Sequence, residues 1–195
     1  MYSSVAVESK FKVIEDLVKG EFMQLKSGDE PFNELFANYM TKTFLKTASL
    51  FANSCRAVAV LSGASNVVHE MAFQYGRNIG LAFQLIDDTL DFVGDTISLG
   101  KPATADLKLG ISTAPVLFAM DEYPQLDDLV RRRFSEKGDV ELAWKLVLNS
   151  RGIAKTQSLA ASHRDAAIRI LDSHPASPYR DALADVANSI IERTR

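Results

Sequence analysis

From Gly80 to Gly94 the chain reads GLAFQLIDDTLDFVG, apolar nearly all the way round a helical wheel, yet it carries three carboxylates within five residues. A helix apolar on every side is stable only when other elements cover it, so this stretch predicts a buried central helix with neighbours packed around it. The acids then need an explanation. Asp87 and Asp91 stand at i and i+4 on one stripe, with Gln84 a turn earlier on that face. Like charges at this spacing repel, and a buried charge costs several kcal/mol unless something compensates it. A divalent cation is one compensation: carboxylate oxygens are hard ligands suited to magnesium, which takes one or two carboxylates together with waters and substrate phosphates. The other reading is a solvated acidic face near a helix end. The apolar flanks count against solvation, and acids late in a helix oppose the macrodipole rather than complement it. On these residues alone the two readings stand level.

Elsewhere apolar residues recur at spacings of three and four almost throughout. Val7, Phe11, Ile14, Leu17, Val18, Phe22 and Leu25 predict a helix from Val5 to Lys26, and a longer one is expected from Phe32 to about Ser62. Gly63-Ala64-Ser65-Asn66 breaks it, and Ser65 or Asn66 can cap a third helix running to about Val93. Residues 94–110 contain Gly94, Gly100, Pro102 and Gly110 and form the one substantial irregular stretch. Shorter helices are expected at Ala114–Glu122, at Leu126–Phe134 and after Gly138-Asp139, then a longer one at Gly152–Asp172. Pro175–Pro178 is a second break before a last amphipathic helix from Tyr179 to Arg193. Ten glycines and six prolines in 195 residues are fewer breakers than the ~12 % of an average protein, which favours helix over a turn-rich sandwich. No repeat, low-complexity tract or long linker divides the chain, so the expectation is one all-α domain over residues 1–195.

Composition excludes several functions. A net charge of −3 without a basic cluster argues against a nucleic-acid partner. No apolar run approaches the ~18–20 residues of a transmembrane segment. The single Cys55 excludes an internal disulfide and a cysteine zinc site, and it suits a reducing compartment. His69, His163 and His174 lack the i, i+4 pairing of a helical zinc site. The opening MYSSVAVESKFK has no apolar signal core and carries Glu8 without arginine, so it reads as neither a secretory signal nor a mitochondrial presequence.

FQLIDDTLDF, followed by LGKPATADLKLG and then STAP, resembles the second aspartate-rich region of trans-isoprenyl diphosphate synthases, especially long-chain polyprenyl synthases of the hexaprenyl type. Other elements agree in order and spacing. Gly20-Glu21-Phe22-Met23-Gln24 resembles the family's GExxQ element, Tyr39 with Lys46-Thr47-Ala48 its Tyr…Lys-Thr-Ala helix, and Ser62-Gly63-Ala64-Ser65 its usual turn. The likeness runs from Gly20 to about Pro115, and the helical tail ending in SIIERTR is compatible with it. It implies an all-α fold, part of the isoprenoid-synthase helical bundle around a central cavity, without the N-terminal helices. It implies a Mg2+-dependent prenyltransferase joining isopentenyl diphosphate head to tail with an allylic diphosphate, for ubiquinone side-chain biosynthesis, with the mitochondrion as the implied site. In such a reaction the allylic C–O bond ionises, the isopentenyl double bond attacks the cation, and a proton is lost to the released pyrophosphate. The protein must neutralise the leaving diphosphate, hold two polyanions together and keep water away from a cation.

Position by position, the resemblance makes Asp87, Asp88 and Asp91 the magnesium ligands, Asp87 foremost. Gln84 would orient that cluster or contact diphosphate. Lys46, with Thr47 beside it, would bind the allylic diphosphate, and Lys101 would reach the same phosphates from the irregular stretch. From the residues alone, Lys46 and Thr47 serve equally well as a surface lysine and a packed threonine. Asp106 and Lys108 are weaker candidates, Arg193 and Arg195 would close over a substrate, and Ile111 stands where many relatives carry a lysine. Phe44, Leu50, Phe51 and Phe73 would line a tail cavity or simply form core.

The family's first aspartate-rich motif, its arginine pair and a Gly-Gly-Lys-Arg isopentenyl-binding element belong upstream of GExxQ, where this sequence offers nineteen residues and none of the three. Asp127-Asp128-Leu129-Val130-Arg131 lacks a third aspartate and reads as an exposed amphipathic helix. With one carboxylate cluster where the mechanism uses two, these 195 residues are expected not to catalyse condensation alone. Two other readings stay open: a non-catalytic regulatory subunit of a heteromeric synthase, and a helical interaction protein whose DDTLD is structural. A homo- or hetero-oligomer is expected, because uncovered apolar helix faces invite association.

Overall fold

A computed structural model describes residues 4–26, 32–93 and 104–193. Helix α1 spans Ser4–Lys26, α2 Phe32–Thr43, α3 Ser49–Leu61 and α4 Asn66–Val93. After them come α5 (Ala105–Lys108), α6 (Ala114–Ala119), α7 (Leu126–Arg131), α8 (Asp139–Asn149), α9 (Gly152–Asp172) and α10 (Pro178–Ile191). The described residues contain no strand, and none of their helices is long and apolar enough to cross a membrane. The all-α expectation holds.

The long second helix is one rod, as expected, but with a feature its periodicity did not announce. Between α2 and α3 the segment Phe44–Ala48 is π-helical, and the Ser49 N–H donates to the Phe44 carbonyl five residues back. One wide turn of this kind is rare in a helix and often marks a functional site.

Helix α4 is central, packed along α3 on one side and α9 on the other. From Tyr75 to Phe92 most of its residues are buried, and Leu85 and Phe92 are fully enclosed. Its contact with the neighbouring rod is backbone on backbone. A Cβ at Gly80 would lie 2.5 Å from Ala48 Cα, and one at Gly76 would lie 2.5 Å from the Phe51 carbonyl oxygen. Only hydrogen fits there, which brings the late half of α4 against the π turn. Two apolar clusters fill the interior. One joins Leu85, Ile86 and Phe92 to α2 and to α5–α8; the other joins Tyr75, Ile79 and Ala82 to α9 and α10.

Caps account for several boundaries. The Ser65 hydroxyl lies 3.5 Å from the Val68 N–H at the start of α4, and Ser177 accepts the Arg180 N–H ahead of α10. Helices α6 and α7 stop a turn short of the expected Glu122 and Phe134. Arg133 and Phe134 have positive φ of 57° and 53°, so the chain leaves the helix there. The acidic pair Asp127-Asp128 lies on this short helix, with Asp127 bonded to Arg131 at 2.8 Å. On α1, Phe11, Ile14 and Phe22 are 61–69 % exposed, an apolar stripe that none of the described residues covers.

Candidate functional site

The late half of α4 turns Gln84 and Asp88 toward the π turn and α2. Asp88 is only 3 % exposed, and both of its oxygens are engaged. The Tyr39 hydroxyl donates to Oδ2 at 2.5 Å, and Gln84 Nε2 donates to Oδ1 at 2.8 Å. Thr47 Oγ1 in turn donates to Gln84 Oε1 at 2.8 Å. These bonds fix the Gln84 amide at both ends and tie α4 to the π turn and α2. Burial pushes the Asp88 carboxyl up to about 7, against the opposing pull of its two donors. Burial, and then the Asp88 charge, hold the Tyr39 hydroxyl well above its ordinary value.

The three aspartates do not share one environment. Asp91 accepts the Ala105 and Asp106 N–H groups at 3.1 and 3.4 Å, so it caps α5. Asp87 lies exposed on the adjoining stripe, 3.7 Å from Arg193 Nη2, and the Arg193 guanidinium sits 4.4 Å from the centre of the Phe83 ring. The face expected to group Gln84 with Asp87 groups it with Asp88 instead. Spacings of three and four are both neighbours on a helix, and the buried side chain offered the stronger acceptor.

Lys46 has firm partners on α1. Its ammonium lies 2.8 Å from Glu21 Oε1 and donates to Gln24 Oε1 at 2.7 Å. A Cβ at Gly20 would meet Lys46 Cγ at 2.6 Å, so that glycine lets the lysine stem cross the helix. Gly-Glu-x-x-Gln and Lys-Thr-Ala are therefore two halves of one contact. The spacing of Gly20, Glu21 and Gln24 was the available signal. The π turn lets adjacent residues diverge, Lys46 toward α1 and Thr47 toward α4.

These groups surround a cleft of about 290 Å³ lined by Tyr39, Lys42, Lys46, Thr47, Gln84, Asp88, Asp106 and Ile111, among others. A smaller cleft of about 200 Å³ shares Gln24, Tyr39, Lys42 and Ile111 with it. Burial, followed by the Asp91 charge, pushes the Asp106 carboxyl up. Of the residues expected from sequence, Lys46, Thr47, Gln84, Asp88 and Asp106 come together here. Asp87 and Asp91 sit on its shoulder, and Lys108 is exposed. Lys101 and Arg195 lie outside the described residues. Phe44 pairs with Phe73 and Phe51 with Phe83, while Leu50 faces solvent, so these four divide between two aromatic contacts and the surface. Lys42 and Tyr39 are cleft residues that the sequence reading left without a role of this kind.

Among the described residues no three acidic, His or Cys side chains form a ready-made metal cage. The donor set is hard oxygen, with Asp87 open to solvent. That fits an ion such as magnesium, which completes its shell with waters and phosphate oxygens.

Residues 3–147 match the Polyprenyl synthetase family. The chain is 51 % identical over 184 residues to human all trans-polyprenyl-diphosphate synthase PDSS1, covering 94 % of this chain and 44 % of that protein. It is 51 % identical over 170 residues to the mitochondrial hexaprenyl pyrophosphate synthase of Saccharomyces cerevisiae, covering 87 % and 36 %. A polyprenyl synthase from Caulobacter crescentus, crystallised with calcium and isoprenyl diphosphate, is similar in fold with a TM-score of 0.86 at 34 % identity, over 99 % of this chain and 60 % of that one. The chain thus spans less than half the length of the two curated relatives. A match over most of the sequence, on a helical frame whose Lys-Thr-Ala and aspartate-rich elements meet across one cleft, makes this chain a member of the polyprenyl synthetase family.

Proposed function

We propose that this chain supplies the second aspartate-rich half of the active site of a long-chain polyprenyl diphosphate synthase. The reaction is head-to-tail condensation of isopentenyl diphosphate with an allylic diphosphate, making a quinone side chain in the mitochondrion. The location is inferred from relatives such as the yeast mitochondrial enzyme. The observation that carries the reading is the buried Asp88 carboxylate, held by Tyr39 and Gln84 on a cleft that also bears lysines. A structural carboxylate has little reason to sit desolvated beside an open cleft without a fixed cation of its own.

In this reading Asp87, Asp88 and Asp91 hold magnesium, which when bound neutralises charge on the leaving diphosphate. Gln84 orients Asp88 through its two-ended hydrogen bonding. Lys46 and Thr47 form the wall on which the allylic diphosphate rests, Asp106 lines the same cleft, and Lys101 and Lys108 are the further phosphate contacts that the family resemblance implies. An oligomer joined through the bare stripe of α1 agrees with the exposure of Phe11, Ile14 and Phe22.

Calorimetric titration of the chain with inorganic pyrophosphate, with and without magnesium, tests the reading. Uptake that requires the metal and disappears in Asp87→Ala supports it. Metal-independent binding, or none, returns DDTLD to a structural role. Incubation with both diphosphates and magnesium should yield no prenyl product from these 195 residues alone.

A further inference from the structure

We propose that Lys42 is a further cation of this site, one that seats phosphate oxygens of the ligand inside the cleft. The inference rests on the diphosphate reading above and adds a residue to it. Lys42 and Lys46 stand one turn apart, and both line the larger cleft, but their situations differ. The Lys46 ammonium is taken by Glu21 and Gln24. Among the described residues the Lys42 ammonium makes no hydrogen bond and no ion pair; its contact as a cation is with the Tyr39 ring, 5.9 Å from the centroid. It also lines the smaller cleft, so it stands at the junction of the two.

An ammonium carries three donors, and none of them is taken by an acceptor among the described residues, so all three face the cleft's ligand or its water. Burial pushes Lys42 below the ordinary lysine value, with Asp88 pulling the other way and Lys46 adding to the fall. Asp88 accepts from Tyr39 and Gln84 and attracts Lys42 through its charge rather than through a hydrogen bond. A ligand bringing several anionic oxygens satisfies the three donors at once. Phosphate chemistry suits this, because lysine binds it as a compact point charge. Ile111 lines both clefts beside Lys42 and offers no charge, so the positive potential at their junction falls to the lysine.

Calorimetry with inorganic pyrophosphate and magnesium on the whole chain, compared for wild type, Lys42→Met, Lys42→Arg and Asp87→Ala, decides it. Loss of one charge-assisted hydrogen bond is expected to weaken uptake by Lys42→Met about 10- to 100-fold, with Lys42→Arg recovering most of it. Lys42→Met should melt no lower than wild type, since it removes a charge that has no bonded partner among the described residues. Wild-type affinity in Lys42→Met, with Asp87→Ala inactive, overturns this inference and leaves the diphosphate reading standing. A lowered melting temperature in Lys42→Met overturns it too, by making Lys42 structural. No magnesium-dependent uptake by wild type removes the diphosphate reading and this inference with it.

Discussion

Asp88→Asn should make the metal-free protein more stable at alkaline pH while abolishing cation-assisted ligand uptake, both for one reason. The Asp88 carboxyl is 3 % exposed and titrates at about 7 in the fold, against an ordinary 3.8. A folded pKa above the unfolded one gives stability that is fully present below pH 3.8 and lost as pH rises through about 7. At about 1.4 kcal/mol per tenfold in proton affinity, the whole interval is worth about 4 kcal/mol by pH ~8.5. Asparagine keeps the shape. Its oxygen accepts from Gln84, and its amide donates to the Tyr39 oxygen, so little hydrogen bonding is lost. Urea unfolding in chelator, at intervals from pH ~4.5 to ~8.5, should therefore show the variant gaining on wild type by ~2–4 kcal/mol across that range. Near pH ~4.5 the gap should shrink to ~1 kcal/mol. Adding magnesium and pyrophosphate should stabilise wild type alone. A stability difference that stays flat with pH would refute the claim that Asp88 is held against its charge.

Gly80→Ala sets a gain of up to ~1 kcal/mol in helix propensity against overpacking of ~1–3 kcal/mol, because the new methyl would meet Ala48 Cα at 2.5 Å. A lower melting temperature is expected, and a higher one would mean the helices can part freely. Ser49→Ala removes the hydroxyl that donates to buried Asp16 at 2.5 Å, leaving Lys12 at 2.9 Å as that carboxylate's remaining described partner. Denaturant titration should register a loss of ~1–3 kcal/mol, and an unchanged midpoint would show that water or Lys12 suffices.

Much of this architecture is legible in spacing alone. Residues at three and four mark each long helix, and α9 begins and ends where expected because Gly152 and the Ser173 break bracket an uninterrupted pattern. The aspartate cluster and the Lys-Thr pair are legible as chemistry. The π turn was not, because one extra residue in a thirty-residue helix barely disturbs its apolar rhythm. The partner of Gln84 was not either, since both Asp87 and Asp88 are helical neighbours and burial chose between them. Lys42 belongs to no motif quoted from the sequence. Its place emerges only when α2, α4 and the segment around Ile111 are brought together.

The wide turn at Phe44–Ala48 also makes the rod a protractor. Each residue of a regular helix rotates its successors by about 100°. Rewinding Phe44–Ala48 as ordinary α-helix with no residue removed would swing Tyr39 and Lys42 about a quarter turn around the axis relative to Ala48 and Gly80, because the wide turn accommodates one residue more than an α turn does. Such a rewinding would leave a well-formed helix pointing its phenol and its ammonium at the wrong neighbours. In this segment, winding is set by aim rather than by stability.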